Sequence, residues 1–193
     1  DQAVGPFEAD GEPDVLAGVK GKSKVTESTG DKAAWEWSGE SAAFRIAVRM
    51  TGECDGFCWY DLELNPKQPV KLSLLRLEIP RRAGTARYLH AANFTWTYLT
   101  TGLSEYGGRW TDKFKPYVWL GDEERGLAWC AESDQWWRLK EPTRAVAVRT
   151  EGDVVVFSAT MLDHEEMIST PVRLRFGLQA SPVKLRPNGA GLA

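Results

Sequence analysis

Phe44, Ile46, Val48 and Met50 alternate with Arg45, Ala47 and Arg49, and this strict apolar–polar alternation constrains the fold more than any other feature of the chain. Successive side chains of a β-strand point to opposite faces, so the run predicts a strand with one face in a core and the other in water. The same period returns where Cys58, Tyr60, Leu62 and Leu64 alternate with Phe57, Trp59, Asp61 and Glu63. It returns again where Val172, Leu174, Phe176 and Leu178 alternate with Arg173, Arg175 and Gly177. Shorter β-rich runs lie at 24–27, 33–37, 86–90, 145–149 and 154–159. Turn-forming residues such as Thr29, Gly30, Asn65, Pro66, Gly152 and Pro171 separate these runs.

One run changes phase. Val70, Leu72 and Leu74 are followed by Leu75, Leu77 and Ile79, and a single extra residue moves every later side chain to the other face. A β-bulge at Leu74–Leu75, or a strand passing from one sheet to the next, accounts for the slip. Helical signal is confined to Asp163–Ile168, where Asp163 is placed to cap and Glu165 and Glu166 would favour a first turn. The stretch from Leu99 to Asp112 carries three glycines and no period, and reads as a long loop. Residues 1–14 are expected to be a loose segment and 186–193 a linker, leaving 15–185 as one domain. The fold class expected is all-β, a large antiparallel sandwich with little helix.

At 193 residues the chain can bury most of its apolar surface without disulfide support. Its net charge is −3, and the absence of any polybasic stretch argues against nucleic acid or an anionic membrane as partner. No apolar run approaches the ~18–20 residues of a membrane span. The polar start Asp1-Gln2-Ala3, without Met, points to a processed or trimmed chain. There are three cysteines. If 54–59 is a strand, Cys54 and Cys58 lie on one face ~13 Å apart, too far to bridge. They are read, with Cys130, as small half-buried side chains. His90 and His164 lack ligand spacing, so neither metal nor cofactor is expected.

Asp61 and Glu63 share a strand face with Cβ atoms ~7 Å apart, within the ~5–9.5 Å that separates the two carboxyls of glycoside hydrolysis. An outward sheet face has the same appearance, and that is the favoured reading. In Gly121-Asp122-Glu123-Glu124-Arg125-Gly126 a hairpin turn is expected, with Asp122 capping it and Gly126 supplying a positive φ. His164, between Asp163 and Glu165, has the neighbours of an acid–base pair, but a lone histidine in a polar loop is ordinarily just exposed. No nucleophile elbow, phosphate loop or zinc-protease motif occurs.

Nine tryptophans remain to be placed. Core filling is the usual role of a tryptophan, yet sugar rings also stack on indole faces while carboxylates take their hydroxyls. The candidates for carbohydrate contact are Trp110, Trp136 and Trp137 with Asp134, Asp122 and Glu132. If extended, the adjacent Trp136 and Trp137 point opposite ways, so only one of them would face a ligand.

Three segments carry a family likeness: 115–137 (KPYVWLGDEERGLAWCAESDQWW), 55–62 (DGFCWYDL) and 175–183 (RFGLQASPV). They resemble, in the same order over roughly Gly52 to Pro187, bacterial glycoside-hydrolase-like proteins related to glycoside hydrolase family 123, the β-N-acetylgalactosaminidases. The resemblance implies a non-catalytic sandwich of the supersandwich, galactose-mutarotase-like kind that precedes a catalytic barrel in the same polypeptide. The catalytic acid pair would belong to the barrel, so none is assigned here. It further implies a secreted, periplasmic or cell-surface bacterial protein, with the barrel as partner and an oligosaccharide as a candidate second one. Two rivals stand beside this: a free carbohydrate-binding module, and a stand-alone sugar-active enzyme of mutarotase or lyase type using His164 with Asp61 or Glu63.

Overall fold

The computed structural model describes residues 7–8, 16, 19–92, 98–103 and 107–184. In chain order the strands are β1 (Phe7–Glu8), β2 (Lys20–Ser28), β3 (Lys32–Glu40), β4 (Phe44–Glu53), β5 (Phe57–Pro66), β6 (Val70–Leu72), β7 (Leu75–Arg82) and β8 (Tyr88–Ala92). They continue with β9 (Tyr98–Gly102), β10 (Arg109–Asp112), β11 (Tyr117–Gly121), β12 (Gly126–Cys130), β13 (Val146–Glu151), β14 (Val154–Leu162), β15 (Glu166–Ile168) and β16 (Val172–Ser181). A nine-stranded sheet has the order β2-β3-β4-β5-β16-β12-β11-β8-β9, and a five-stranded sheet the order β1-β7-β14-β13-β10. Every pairing within them is antiparallel. The fold is a large antiparallel β-sandwich.

The alternations read from sequence fix which face of each strand is buried. Phe44 and Ile46 on β4, Leu62 and Leu64 on β5, and Val172 and Leu174 on β16 all enter the core. On the opposite face the registers build a row of alternating charge across five strands: Lys24, Glu36, Arg49, Asp61 and Arg175 stand side by side. Opposite charges on neighbouring strands support pairing, and a one-residue slip would bury them. From the five-stranded sheet, Trp110, Val148 and Phe157 form one inward row. Phe157 meets Trp129 of the nine-stranded sheet with ring centroids 5.3 Å apart, so aromatic contact joins the two layers.

The structure bears on four of these expectations. Of the two accounts of the phase slip at Leu74–Leu75, the passage from one sheet to another holds: among the described residues β6 pairs only with β15 in a two-stranded ribbon, and β7 enters the five-stranded sheet. The short helix expected over Asp163–Ile168 does not form, because Glu166–Ile168 pairs as β15 against β6. β-ladder hydrogen bonds outweigh so weak a helical preference. The long loop expected over Leu99–Asp112 is shortened by β9 at one end and β10 at the other. Within the N-terminal segment expected to be loose, Phe7 and Glu8 pair with Leu77 and Arg76. The other residues of 1–14, and all of 186–193, lie outside the described residues.

Candidate functional site

The nine-stranded sheet is wider than its partner layer. β2 is exposed along its whole length, and Val25 and Trp35, directly opposite each other on β2 and β3, are both exposed. Between this overhang and the five-stranded sheet lies a cleft of about 710 Å³. Its floor is a cross-strand row, Ser23–Trp37–Val48–Leu62–Leu174, set by four successive registers. Leu77, Ala159 and Met161 reach it from the other sheet. Alternate residues face opposite ways, so the charged neighbours of the floor residues, such as Arg49 and Asp61, offer the cleft their backbone and send their side chains to the outer face.

Residues 131–137 form the remaining wall. The chain leaves β12 here and crosses to the five-stranded sheet, where the Arg138 N–H donates to the Met161 carbonyl at 2.7 Å and Arg138 bridges to Leu162. A turn closed by the Trp137 N–H on the Asp134 carbonyl, 2.8 Å, breaks the extended geometry between them. Both Trp136 and Trp137 therefore line the cleft, against the expectation that only one would. Trp137 packs edge-on to Phe114 at 5.1 Å and tilted against Trp129 at 6.2 Å, while the Arg138 guanidinium sits 5.3 Å above the Trp136 ring. Asp163 fastens the end of this segment: its two carboxylate oxygens accept the backbone N–H groups of Lys140 and Glu141, each at 2.8 Å. Burial pushes the Asp163 pKa up, but these N–H donors and His164 hold it below the ordinary carboxylate value.

The six residues put forward from sequence therefore separate. Trp136, Trp137 and the exposed Glu132 meet at the cleft. Asp134 is exposed in the turn and does not line it. Trp110 is 6% exposed and belongs to the core, because its place in the row with Val148 and Phe157 turns it inward. Asp122 caps the hairpin as expected, accepting the N–H groups of Glu124 and Arg125 at 2.8 Å, and these donors lower its pKa. Two residues that sequence reasoning passed over, Trp37 and Trp129, also line the cleft.

Gly126 has another purpose than the one expected. It is absent from the positive-φ glycines, which are Gly56, Gly107, Gly108 and Gly152 among the described residues. It is instead directly opposite Gly121, and the Trp119 indole lies across the pair: a Cβ at either glycine would fall 2.2 Å from a ring carbon. The same arrangement recurs at the cleft. Gly21 and Gly39 are cross-strand partners, and a Cβ on them would fall 2.3 and 2.4 Å from the Trp37 ring. A glycine pair that lets an aromatic ring rest on the sheet backbone recovers packing that the missing side chains forgo.

The acids suggested on β5 belong to the lining of the cleft, but their side chains have partners. Asp61 pairs with Arg175 at 3.5 Å and Glu63 with Arg173 at 3.3 Å, on the outer face of the sheet. Arg175 also stacks over Trp59, 4.9 Å from the ring centroid. His164 meets Asp163 at 3.1 Å and Glu166 at 3.8 Å and lines no part of the cleft, so it does not join Asp61 or Glu63.

Residues 7–140 match the sequence profile of the third domain of glycoside hydrolase 123. The chain belongs to that family. A glycoside hydrolase 123 third domain sits in a polypeptide with other domains, which is the relationship the 115–137, 55–62 and 175–183 segments implied. Among solved structures, the third domain is similar to a galactose mutarotase related enzyme from Lactobacillus acidophilus, with 8% identity and a TM-score of 0.47 over 85% of this chain and 74% of that one. It is also similar to a protein described as an aldose 1-epimerase from Escherichia coli K12, with 8% identity and a TM-score of 0.43 over 83% of this chain and 69% of that one. No curated protein matches the sequence.

Proposed function

We propose that this third domain is a non-catalytic accessory module that supports a neighbouring catalytic barrel and contacts the glycan through its inter-sheet cleft. The observation that carries the reading is the engagement of its acids. Asp61 and Glu63, the pair with the spacing of a glycosidase, are held by Arg175 and Arg173 on the outer face, away from the cleft floor. Asp122 caps a turn and Asp163 anchors the 131–141 segment. The floor of the cleft presents the Trp37 indole and aliphatic carbons beside the Ser23 hydroxyl, while Glu132, Ser133 and Gln135 join the charged residues of β2 to β5 and β16 among the polar groups of its lining. Such a surface holds a ligand by contact area and a few hydrogen bonds.

Secretion of the parent polypeptide belongs to the same reading, since polymeric glycans are met outside the cell. The test compares the domain alone with the polypeptide that includes the neighbouring domain. Aryl-glycoside hydrolysis is expected only from the longer protein, while polysaccharide-containing affinity gels are expected to retard the domain alone. Hydrolysis by the isolated domain that disappears in Asp61→Asn or Glu63→Gln would overturn the proposal.

A further inference from the structure

We infer that the cleft is a subsite for a neutral pyranose ring, with the Trp37 indole as its stacking floor and the Trp129 indole N–H as a donor to one sugar oxygen. This rests on the glycan-contact reading above and goes further by assigning two residues and a ligand class.

Trp37 meets the requirements of a floor. Its ring is pressed against the backbone of Gly21 and Gly39, so one face is occupied by the sheet while the residue lines the cleft. Half-buried and fixed by its glycine pair, it needs no reordering to receive the C–H face of a sugar, which keeps the entropic cost of binding low. Trp136 and Trp137 stand on the 131–137 wall.

Trp129 supplies the independent observation. It is 3% exposed, lines the cleft, and its Nε1 is buried without an acceptor among the described residues. Leaving an indole N–H unpaired in an interior costs about 1–3 kcal/mol, so native structures rarely leave one without a partner. A ligand oxygen becomes such a partner once the side chains around Nε1 move aside, because the nitrogen has almost no exposed area in the unliganded cleft. The floor row Ser23, Trp37, Val48, Leu62 and Leu174 carries no charge, and the lysines and arginines of the lining alternate with acids across the strands, so the floor suits a neutral sugar. The volume of about 710 Å³ lies inside the ~300–1,000 Å³ of small-ligand sites.

The experiment titrates the ¹⁵N-labelled domain with short neutral gluco-, galacto-, xylo- and N-acetylhexosamine oligosaccharides. The Trp129 indole cross-peak is identified by its loss in Trp129→Phe. It is expected to move on binding, and Trp129→Phe is expected to weaken binding about tenfold, the worth of one hydrogen bond. Trp37→Ala should weaken it at least as much. Trp119→Ala, which removes an indole from a matching glycine pair on the opposite face, should leave affinity unchanged. If a sugar binds while the Trp129 peak stays still and both cleft variants bind normally, the subsite is overturned and the glycan-contact reading stands. If no sugar is bound by the wild-type domain, the glycan-contact reading falls and the subsite with it. The wild-type titration decides even where Trp37→Ala fails to fold.

Discussion

Trp119 donates its indole N–H to the Ser181 hydroxyl at 2.9 Å, tying the first strand of the 117–130 hairpin to the end of the final strand. The bond helps hold the ring across Gly121 and Gly126, so the hairpin is locked by packing above it as well as by its ladder.

Gly126→Ala should therefore destabilise the domain by about 1–3 kcal/mol through overpacking, although the backbone at this position suits any residue. In a Trp119→Ala background the same substitution should cost little. Urea denaturation of the two single variants and the double variant checks this, and additive losses would refute the ring contact as the cause.

Asp163→Ala removes the acceptor of two backbone N–H groups and should cost about 1–3 kcal/mol, with faster amide exchange at Lys140 and Glu141. If the wall of the cleft is held from this point, the variant should also lower glycan retention.

Acid should destabilise the domain in a defined window. Lys67 lowers the Glu40 pKa, backbone donors lower that of Asp122, Tyr88 leads the groups that lower Glu123, and Asp163 is depressed as described. Carboxylates with depressed folded pKa values contribute stability fully above their unfolded values near 4, and that contribution disappears as the pH falls through the folded ones. Urea midpoints are expected to be level from pH 7 to 5 and to drop below about pH 4, with a shallower drop in Asp163→Asn.

Trp110→Ala and Trp136→Ala separate core from cleft. The first empties a buried site and should cost about 3–5 kcal/mol. The second truncates a half-buried ring under Arg138 and should cost about 1–2 kcal/mol while reducing glycan retention. Thermal melts and affinity gels on the same samples give both readings.

Cys130 should resist thiol reagents in the native state and react on unfolding. Burial raises its pKa, and its sulfur is among the atoms a Cβ on Gly177 would meet, at 2.6 Å. Mass-spectrometric labelling with and without urea measures this for the free thiols Cys54, Cys58 and Cys130.

The layers of the fold were legible because β4, β5 and β16 keep a strict period of 2, and a half-buried strand can hardly hide it. The cleft was much less so. Trp37 looked like any strand tryptophan, and its meaning depends on Gly21, which reaches it only through the β2–β3 register. A local signal existed: Trp37-Ser38-Gly39 and Trp119-Leu120-Gly121 share the spacing that sets a glycine beside the ring on the same face. Trp110 misled because burial depends on the partner strand, and nothing near it in the chain announces Val148. Asp163 carried the right chemistry, acceptance of backbone N–H groups, but it serves a segment more than twenty residues earlier.

The exposed strand β2 closes one side of the nine-stranded sheet and has Lys20, Lys22 and Lys24 at alternate positions. An unpaired edge is a template for another strand, and a row of ammonium groups there repels a second copy brought alongside. Replacing those lysines with valine would turn a guarded border into a joining seam. A domain built to work among others in one polypeptide thus carries, on its outermost strand, the means of refusing its own kind.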